Sequence, residues 1–399
     1  MRCGRANWSW IRGKYLMREI DQRSATGNET LLSLSKERGV VPRSDLGFDS
    51  EGRADSLVGY KRVDPGVVVM NKMQAWNGMF GLSGLSGIVS PEYTTLVPLS
   101  TADPRFLVYL LRSDFYVGEF SWRSRGMGTA FLRLHTENLL DTPFFVPAIE
   151  TQRSIADYLD TETARIDALI EKKKRLVELL EARRRIVVSE GVSGNSPRIG
   201  PRLRYVSHLV RGSGFPHEKQ GCEEGDLPFF KVGDLSRPAN NPFLLECENW
   251  ISHETALELR ATIVPPDSVM FPKIGAALAG GVRRIATIPS VCDNNVLAVV
   301  PSTIEARYLR YWLSTVDLVE IANPGPVPSL DDDALKDLRV PITDRGRQSA
   351  IADHLDLVTK KLNGMSTQIQ TQLHLLRERR QALITAAVTG ELEVPGMAA

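Results

Sequence analysis

The sequence predicts an α+β protein: two globular mixed α/β domains, each followed by a long helix, with the two helices paired as an antiparallel coiled coil. Three observations lead to this fold class. A long stretch of sequence occurs twice, both copies carry a heptad pattern, and the stretches in front of them contain short apolar runs interrupted by turn residues. An offset of 196 residues in a 399-residue chain indicates duplication of a large unit, since solenoid repeats are far shorter.

The repeated stretch extends from Gln152 to Gly194 and again from Gln348 to Gly390, at a constant offset (348 − 152 = 196) and without a gap. Both copies open on Gln-x-x-Ile-Ala-Asp-x-Leu-Asp, carry an Arg-Arg pair near their end and close on Val-Ser/Thr-Gly. Two unrelated surface helices of similar composition are the alternative. They would have no reason to share a register over the whole stretch, so we interpret the two as copies of one helix.

Each copy has the contact positions of a coiled coil, at alternating spacings of four and three residues. The predicted positions are Leu159, Glu162, Ile166, Leu169, Lys173, Leu176, Leu180, Arg183 and Val187 in the first copy and Leu355, Val358, Leu362, Met365, Ile369, Gln372, Leu376, Arg379 and Leu383 in the second. Thr151 and Asp344 are the expected N-caps, and Gly194 and Gly390 are expected to end the helices. A helix of ~40 residues is a rod of roughly 60 Å, so the antiparallel pair would act as a spacer.

The predicted first domain is 1–147, and its helical spacer is 148–194. Trp8, Trp10 and Tyr15 are expected to anchor the polar N-terminal segment to this domain. Apolar runs bounded by turn residues predict strands, and a longer apolar stretch predicts a helix. The predicted strands are 31–35, 56–60, 66–70 and 94–99, and the predicted helix is 104–120.

The predicted second domain is 195–341, followed by the second helical spacer and a tail, 342–399. It opens on a linker, 195–202, that is rich in Pro, Gly and Ser. The predicted strands are 227–235, 268–275, 283–288 and 295–301, and the predicted helix is 306–321.

The two domains are weakly alike. Arg105-Phe-Leu-x-Tyr-Leu-Leu in the first corresponds to Arg307-Tyr-Leu-x-Tyr-Trp-Leu in the second, and both domains end on Val-Pro. The domains have diverged while the helices remain similar. We infer that the domains recognise different things and that the helices perform a shared task.

Composition excludes several classes of protein. A hydrophobic content of 42% and a charged content of 24% are ordinary for a globular protein, and the formal net charge of +1 requires any nucleic-acid-binding surface to be local. The four cysteines form no Cys-x-x-Cys pair, which argues against a zinc site or a disulfide framework. Neither a signal-peptide core nor ~18 continuous apolar residues are present, so the expected location is the cytoplasm, away from membranes.

Three stretches resemble catalytic motifs, but each lacks a residue that the motif requires. The glycine-rich stretch 81–87 lacks the lysine of a phosphate-binding loop, and we interpret it as a loop between strands. Asn-Asn-Pro-Phe at 240–243 resembles the Asn-Pro-Pro-Phe/Tyr signature of amino-methyltransferases but differs at its second residue. Asp267 with Lys273 resembles a nuclease core, but Phe271 stands where Mg²⁺ would need a second carboxylate. The histidines have no metal-ligand spacing either, so a binding protein without catalytic residues, metal or cofactor is predicted.

The repeated helices, each with Val-Pro in front, resemble the two conserved regions of the specificity subunit of type I restriction–modification systems. Three stretches, 86–93, 227–235 and 271–278, are similar to that family's target-recognition domains. The resemblance covers nearly the whole chain, and the extreme N-terminus is its least similar part.

This resemblance implies a non-catalytic subunit that recognises an asymmetric bipartite site in double-stranded DNA, with one domain per half-site. It further implies docking of two DNA methyltransferase subunits and of the restriction (helicase–nuclease) subunits. S-adenosylmethionine, ATP and Mg²⁺ would be bound by those partners.

DNA recognition needs phosphate contacts for position and hydrogen bonds to base edges for sequence. The candidate residues are Arg43, Lys61, Arg62, Lys72, Gln74, Asn77, Arg123 and Arg125 in the first domain and Lys231, Lys273, Arg283, Arg284, Asn294 and Asn295 in the second. The clusters 72–77 and 122–125 are the best candidates, because Trp76 and Trp122 accompany amide and guanidinium groups there. The alternative for each side chain is an ordinary solvated position.

The candidate residues for partner docking occur in both helices: Asp157, Asp160, Arg183 and Arg184 in the first, and Asp353, Asp356, Arg379 and Arg380 in the second. For the aspartates, helix capping is the alternative. Two other functions remain open for the whole chain. One is a coiled-coil protein–protein adaptor that does not bind DNA, and the other is a methyltransferase or nuclease with an unrecognised motif.

Overall fold

The computed structural model describes residues 7–47, 56–126, 132–194 and 200–395. The chain forms two compact units: Met1–Lys174 together with Gln370–Ala399, and Arg175–Ile369. Each unit therefore contains one globular part and a portion of each long helix. Among the described residues, no helix combines the length and the apolar character needed to cross a membrane.

The first unit is built on a central antiparallel sheet. Its strands are β1 (Ser9–Arg12), β2 (Met17–Ile20), β3 (Leu32–Ser35), β4 (Gly39–Pro42), β5 (Lys61–Val63), β6 (Val68–Asn71), β7 (Phe80–Leu82), β8 (Gly87–Val89), β9 (Tyr93–Pro98) and β10 (Pro143–Val146). Its helices are α1 (Pro104–Leu111), α2 (Asp114–Arg123), α3 (Thr136–Asp141), the part of α4 (Ile149–Ser193) up to Lys174 and the part of α10 (Arg345–Val388) from Gln370. The central sheet has the order β2-β9-β6-β7.

Apolar residues on the helices cover one face of this sheet. Phe106 of α1, Phe120 of α2 and Leu159 of α4 are buried in one cluster together with residues of the sheet. Helix α1 begins where the sequence dictates: Asp103 accepts two backbone N–H groups at 3.0 and 3.1 Å, and Pro104 occupies the first position.

The second unit has the same plan. Its strands are β11 (Ser207–Arg211), β12 (Leu227–Phe230), β13 (Phe243–Leu244), β14 (Trp250–Ile251), β15 (Val269–Pro272), β16 (Arg284–Ala286), β17 (Val291–Cys292), β18 (Val296–Pro301), β19 (Ala322–Asn323) and β20 (Ser329–Leu330). Its helices are α5 (Val232–Ser236), α6 (His253–Glu258), α7 (Ala276–Ala279), α8 (Ala306–Thr315), α9 (Asp332–Asp337), the part of α4 from Arg175 and the part of α10 up to Ile369. The central sheet, β11-β18-β15-β16-β13, repeats the order of the first unit and adds β13 at its edge.

The long helices pack together within each unit. In the first, Ile155 and Leu159 of α4 share a core with Ile384 and Ala387 near the end of α10. In the second, the end of α4 meets the beginning of α10, where a Cβ on Gly191 would lie 2.9 Å from a methyl group of Leu355. Because opposite ends meet in both units, the pairing is antiparallel, which confirms the predicted fold class.

Half of the predicted seam positions are wrong by one residue. Leu159 and Ile166 are buried as predicted, but Leu169 is 47% exposed and its neighbour Ile170 is 7% exposed. The second copy has the same displacement, since Met365 is exposed and Leu373 is buried at the place predicted for Gln372. Leu169 and Ile170 are both apolar and fit the periodicity equally well, so the pattern alone does not choose between them. At Gln372, in contrast, the buried neighbour Leu373 is the apolar residue of the pair.

Most predicted strands exist, although their bounds are shorter or shifted by one to three residues. They are β3, β6, β9, β15, β16 and β18. The loop predicted at 81–87 exists between β7 and β8 but is shorter, residues 83–86, because residues 81 and 82 belong to β7 and residue 87 begins β8. Residues 56–60 are a turn instead of a strand, and Gly59 has a φ of +82° there. Residues 227–235 begin as β12 but continue as α5, because Asp234 accepts the backbone N–H of Lys231 at 2.8 Å.

The predicted helix 104–120 is two helices. Ser113 between them has an extended backbone, and its hydroxyl donates to the carbonyl of Leu110 at 2.7 Å, a local bond that competes with helix continuation. The predicted helix 306–321 ends at Thr315.

The expected helix ends are confirmed at three of four positions. Asp344 caps α10, and its hydrogen bond from the backbone N–H of Arg347, 2.9 Å long, lowers the pKa of its carboxyl. Gly194 and Gly390 follow the helices with φ values of +61° and +71°. Thr151 is not the N-cap, since α4 begins at Ile149.

The N-terminal segment is part of the first unit. Trp8 is buried with its ring 5.4 Å from Phe145, as expected, and Trp10 lies 5.1 Å from the same ring although it is 63% exposed. Tyr15 is 60% exposed, so its ring does not anchor the segment. Residues 1–6 and most of the predicted linker, 195–199, lie outside the described residues. The last residues of the predicted linker are held against the end of the second domain, since the carbonyl of Pro201 accepts the N–H of Val340 at 3.0 Å.

Candidate nucleic-acid interface

The structure brings together the two clusters that the sequence favours in the first domain. Lys72 follows β6, and its carbonyl accepts the N–H of Leu134 at 3.0 Å. The residue before, Arg133, exchanges two backbone hydrogen bonds with Arg125, at 3.0 and 3.1 Å. Residues 132–134 therefore lie between Lys72 and Arg125 and add a further exposed guanidinium. We define the first basic surface as Lys72, Gln74, Trp122, Arg125 and Arg133.

The side chains around this surface differ in how free they are to bind a ligand. Trp122 is 80% exposed at the end of α2. Trp76 is half-buried, and its indole N–H donates to a main-chain carbonyl at 2.8 Å, which shapes the loop after Lys72. Asn77 accepts a hydrogen bond from Lys36 at 2.9 Å, and Arg123 donates to a carboxylate one turn earlier at 2.6 Å.

Three candidates of the first domain lie elsewhere. Lys61 is 3% exposed, and its ammonium lies 3.6 Å from Glu19, so it faces a carboxylate inside the unit. Arg62 is exposed on β5, and Arg43 is half-buried at the end of β4. We leave all three out of the first basic surface.

In the second domain, three strand ends gather around one aspartate. Asp293 donates its N–H to Phe230 at 3.0 Å, which places it beside Lys231. Its carboxylate accepts from the backbone and side chain of Asn295 at 2.9 and 3.2 Å, and Lys273 donates its N–H to the Asn295 carbonyl at 2.9 Å. We define the second basic surface as Lys231, Lys273, Asn294 and Asn295.

Arg283 and Arg284 are turned inward. Arg283 is 4% exposed and stacks over Phe271, with its guanidinium carbon 4.8 Å from the ring centre. Burial lowers the pKa of Arg283 to about 10. Arg284 donates to the carbonyl of Leu235 at 2.9 Å and to Asn241 at 3.2 Å. Burial, followed by the charge of Arg310, lowers the pKa of Arg284 to about 10 as well. Neither guanidinium belongs to the second basic surface.

Lys72 and Lys273 occupy equivalent places in the two units. Each follows the third strand of its central sheet, β6 or β15. Each accepts a backbone N–H from a leucine: Leu134 to Lys72 at 3.0 Å, and Leu330 to Lys273 at 2.8 Å. The two leucines are separated by the helix offset (330 − 134 = 196). The side chains around the two lysines, in contrast, are different.

Three aspartates lie close to Lys273, and each has a partner of its own. Asp331 caps α9 by accepting two backbone N–H groups at 2.9 and 3.0 Å. Asp332 accepts from Arg211 at 2.6 Å, and Asp333 accepts from Lys336 at 3.0 Å. These contacts partly compensate the acidic charge beside the second basic surface.

The two aspartates of the first helix that were predicted to dock a partner accept hydrogen bonds from side chains of their own unit. Arg105 Nη1 donates to Asp157 and to Asp160, both at 2.8 Å. The hydroxyl of Tyr109 donates to Asp160 at 2.8 Å. Burial raises the pKa of Tyr109 to about 12. Gln152 accepts the N–H of Asp103 at 3.0 Å. We call Arg105, Tyr109, Gln152, Asp157 and Asp160 the first clasp.

The second unit repeats this arrangement. Arg307 Nη1 donates to Asp353 at 2.7 Å and to Asp356 at 2.9 Å, and Tyr311 donates to Asp356 at 2.6 Å. Gln348 accepts the N–H of Glu305 at 2.9 Å, as Gln152 does in the first unit. We call Arg307, Tyr311, Gln348, Asp353 and Asp356 the second clasp.

The four docking arginines fall into two groups. Arg380 donates to both carboxylate oxygens of Asp167, at 2.9 and 3.2 Å, and so joins the two helices within the first unit. Arg183, Arg184 and Arg379 are exposed. The position equivalent to Asp167 in the second helix (167 + 196 = 363) is Asn363, which cannot form an ion pair.

The motifs that resemble catalytic ones have structural roles. Asn240 uses both side-chain N–H groups and both lone pairs of its carbonyl oxygen, in four bonds of 2.7 to 2.8 Å to the backbone of the surrounding turn. Asp267 and Lys273 flank β15 at opposite ends, too far apart to share a metal ion. Burial raises the pKa of the Cys247 and Cys292 thiols to about 12, which leaves them protonated at neutral pH.

A second repeated motif, absent from the sequence reasoning, lies at the start of each domain. Arg-x-Lys/Arg-Tyr occurs at 12–15 and 202–205. Arg12 lies 3.5 Å from Asp141, and Arg202 lies 3.3 Å from Asp337. The two copies are 190 residues apart (202 − 12 = 190) instead of 196, so a search at the helix offset misses them. Arg133 was missed because nothing local to its sequence indicates its contact with Arg125.

The duplicated sheets and paired long helices define a fold that is found in solved structures of type I restriction–modification systems. One chain, from a study of complex assembly and conformational transition of the type I system, matches with a TM-score of 0.76 and 17% identity, covering 97% of this chain and 99% of that one. The HsdS subunit of Thermoanaerobacter tengcongensis matches with a TM-score of 0.53 and 17% identity, covering 97% and 98%. These likenesses concern the fold.

Relatives in sequence point to the same class of protein. The EcoDI specificity subunit of Escherichia coli is 20% identical over 353 residues, which are 80% of this chain and 77% of that protein. The StySPI specificity subunit of Salmonella potsdam is 26% identical over 317 residues, 74% and 67% of the two chains. No family model matches the chain. The resemblance to type I specificity subunits, expected from the repeated helices, is confirmed.

Proposed function

We propose that this chain recognises DNA as the specificity subunit of a type I restriction–modification complex. The first domain, 1–147, would bind one half of an asymmetric bipartite site in double-stranded DNA, and the second domain, 195–341, the other half. The observation that carries the proposal is the equivalent placement of Lys72 and Lys273 among side chains that differ between the units.

This combination fits the physical division of labour in DNA recognition. Phosphate contacts position a protein on the duplex and carry no sequence information, whereas contacts to base edges specify the sequence. Equivalent lysines suit the shared phosphate task. Gln74, Arg125 and Arg133 around one lysine, and Asn294 and Asn295 around the other, offer different donors and acceptors to base edges. Two different half-sites follow from this difference.

The helical spacers, 148–194 and 342–399, would carry the partners. We propose that Arg183, Arg184 and Arg379 help to dock two DNA methyltransferase subunits, and that Arg380 and the four aspartates take part only through the shape they maintain. Restriction subunits would join the same complex in the cytoplasm. S-adenosylmethionine, ATP and Mg²⁺ would be bound by these partners, so the chain itself would be non-catalytic.

The coiled-coil adaptor that binds no DNA is the competing function. It would need the paired helices and the exposed arginines, but it gives no reason for a lysine at the same place in two diverged domains. The methyltransferase or nuclease alternative finds no support in the segments that resemble those enzymes, because Asn240 is fully used in holding a turn.

Replacing Lys72 or Lys273 by glutamine tests the proposal. In the complex with its methyltransferase, each change is expected to weaken binding by a similar factor on specific and non-specific duplexes. The slope of log K against log salt should fall by about one unit for each lysine, because one phosphate contact is lost. Fluorescence anisotropy titrations of labelled duplexes at several salt concentrations measure both quantities.

Lys172→Gln is the matched control, since Lys172 is exposed on α4 and its replacement removes the same charge. An unchanged salt slope in both lysine variants would contradict the proposed surfaces. Wild-type complex that shows no salt-dependent binding to any duplex would favour the adaptor.

A further inference from the structure

The two clasps repeat one side-chain arrangement in both units. Arginine, tyrosine, glutamine and two aspartates have the same partners in both units, and the bonds from Arg105 and Arg307 to the aspartates differ by about 0.1 Å. The domains around them have diverged in sequence, so the arrangement serves something that both halves need.

Each arginine contacts three carboxylates. Two belong to the long helix, and the third belongs to the N-cap residue of the short helix that carries the arginine. In the first clasp Arg105 Nε lies 3.6 Å from Asp103, the N-cap of α1. In the second, Arg307 Nε lies 3.0 Å from Glu305, the N-cap of α8. Burial lowers the pKa of Arg105, but the hydrogen bonds that Arg105 donates to Asp157 and Asp160, together with the charges of Asp103 and Asp160, outweigh burial and raise the pKa overall. The guanidinium is therefore held by charge as well as by geometry.

The contacts of the first clasp are distributed along both α1 and α4. They therefore fix the orientation of α1 on α4 as well as its position. Gln152 binds the backbone before α1, Arg105 binds Asp157 and Asp160 of α4, and Tyr109, one turn further, binds Asp160 again. Between Gln152 and Asp160 the attachment spans ~12 Å of α4, at ~1.5 Å per residue. A single contact would allow the domain to pivot on the spacer helix, whereas contacts at successive turns oppose it.

Polar contacts are suited to this task. The free energy of apolar burial is non-directional, whereas hydrogen bonds weaken steeply when their angle changes. An arginine that contacts several carboxylates is also not replaceable by lysine, because the planar guanidinium donates in several fixed directions.

We propose that the two clasps are positioning devices that fix the tilt of each domain on its spacer helix, and that together they set the length of the unread gap between the two half-sites. This inference depends on the proposed function. A tilt of about 10° moves a point ~20 Å away by roughly 3.5 Å, and a domain of this size is at least that deep. That displacement is about the rise of one base pair.

The test is to sequence methylated sites in cells that carry the complex with an opened clasp. Tyr109→Phe removes one hydroxyl and keeps the ring in place, and Arg105→Gln removes the guanidinium. Tyr311→Phe and Arg307→Gln are the matched changes in the second unit. We expect each variant to retain both half-site sequences while methylating sites whose gap is one base pair shorter or longer than in the wild type.

Arg165→Gln is the control, because Arg165 lies on the exposed face of α4 and binds Glu162 of the same helix at 2.7 Å. It should retain the single gap. A role in folding alone would lower the methylation of all sites without changing the gap. A single unchanged gap in active Tyr109→Phe and Tyr311→Phe variants would overturn the inference and leave the proposed function intact. A wild-type complex without a bipartite site would overturn both.

Discussion

Exchanging residues 1–147 for the corresponding domain of another specificity subunit is expected to replace one half of the recognised site and leave the other half unchanged. The old half-site should lose methylation by ~10³-fold or more, which is the usual difference between specific and non-specific DNA binding. The expectation follows from the separate core of each unit and from the different side chains around Lys72 and Lys273.

The strand pairing of the first unit requires that the exchanged segment begins before β1. Strand β1 pairs with β10, and β2 pairs with β9, so a segment that starts after β2 would separate paired strands. On the helix side, the new domain must carry an arginine and a tyrosine equivalent to Arg105 and Tyr109, because these side chains bind Asp157 and Asp160 of α4. Two further contacts join the domain to α10, since Gln381 donates to the carbonyl of Arg112 at 2.8 Å and Thr385 accepts the N–H of Asp114 at 3.1 Å. Both contacts use backbone groups of the domain, which any sequence provides.

The reciprocal exchange of residues 200–341 is the matched control and should change only the other half-site. Sequencing of methylated sites before and after each exchange gives the result. Loss of both half-sites after either exchange, in a complex that still assembles, would show that the domains do not act independently.

Lengthening both helices by one heptad should lengthen the unread gap by about three base pairs. Seven residues add ~10 Å to a helix, and the duplex rises ~3.4 Å per base pair. The insertions belong after Lys174 and after Gln370, which are 196 residues apart (370 − 174 = 196) and lie at the boundary between the two units. Neither clasp is then altered, and the seam keeps its register.

Inserting five residues at the same two places is the control, because five residues add length but turn the rest of the helix by ~140° and so move the seam away from the partner helix. Such a protein should lose assembly or activity. An active heptad variant with an unaltered gap would contradict the idea that the paired helices set the distance. If the paired helices set this distance, we expect the ~60 Å length of a ~40-residue helix to limit the separation of the half-sites to roughly 17 base pairs.

The long helices could be predicted from the sequence because their information is local and occurs twice. The seam could be located only to within one residue, since Leu169 and Ile170 are both apolar and only packing distinguishes them. Strands such as β1 and β2 were not predicted, because their short polar sequences become strands only through pairing with β10 and β9.

In the candidate site, too, residue types could be predicted from local sequence, whereas the contacts between distant residues could not. Lys72 and Arg125 could be named from residue type, but their proximity depends on backbone bonds to Leu134 and Arg133, which no local pattern indicates. The repeated aspartates were correctly recognised as a shared feature. Their partner Arg105 is 52 residues from Asp157, and only the fold shows that these two repeated motifs bind each other.

The proposed DNA recognition is tested by sequencing the DNA of a host without modification systems that produces this chain with its methyltransferase. We expect methylation at one asymmetric bipartite site, with two different half-sequences and a fixed gap, and no such methylation when the chain is omitted. Methylation of a contiguous site, or methylation that does not depend on this chain, would contradict the proposed recognition.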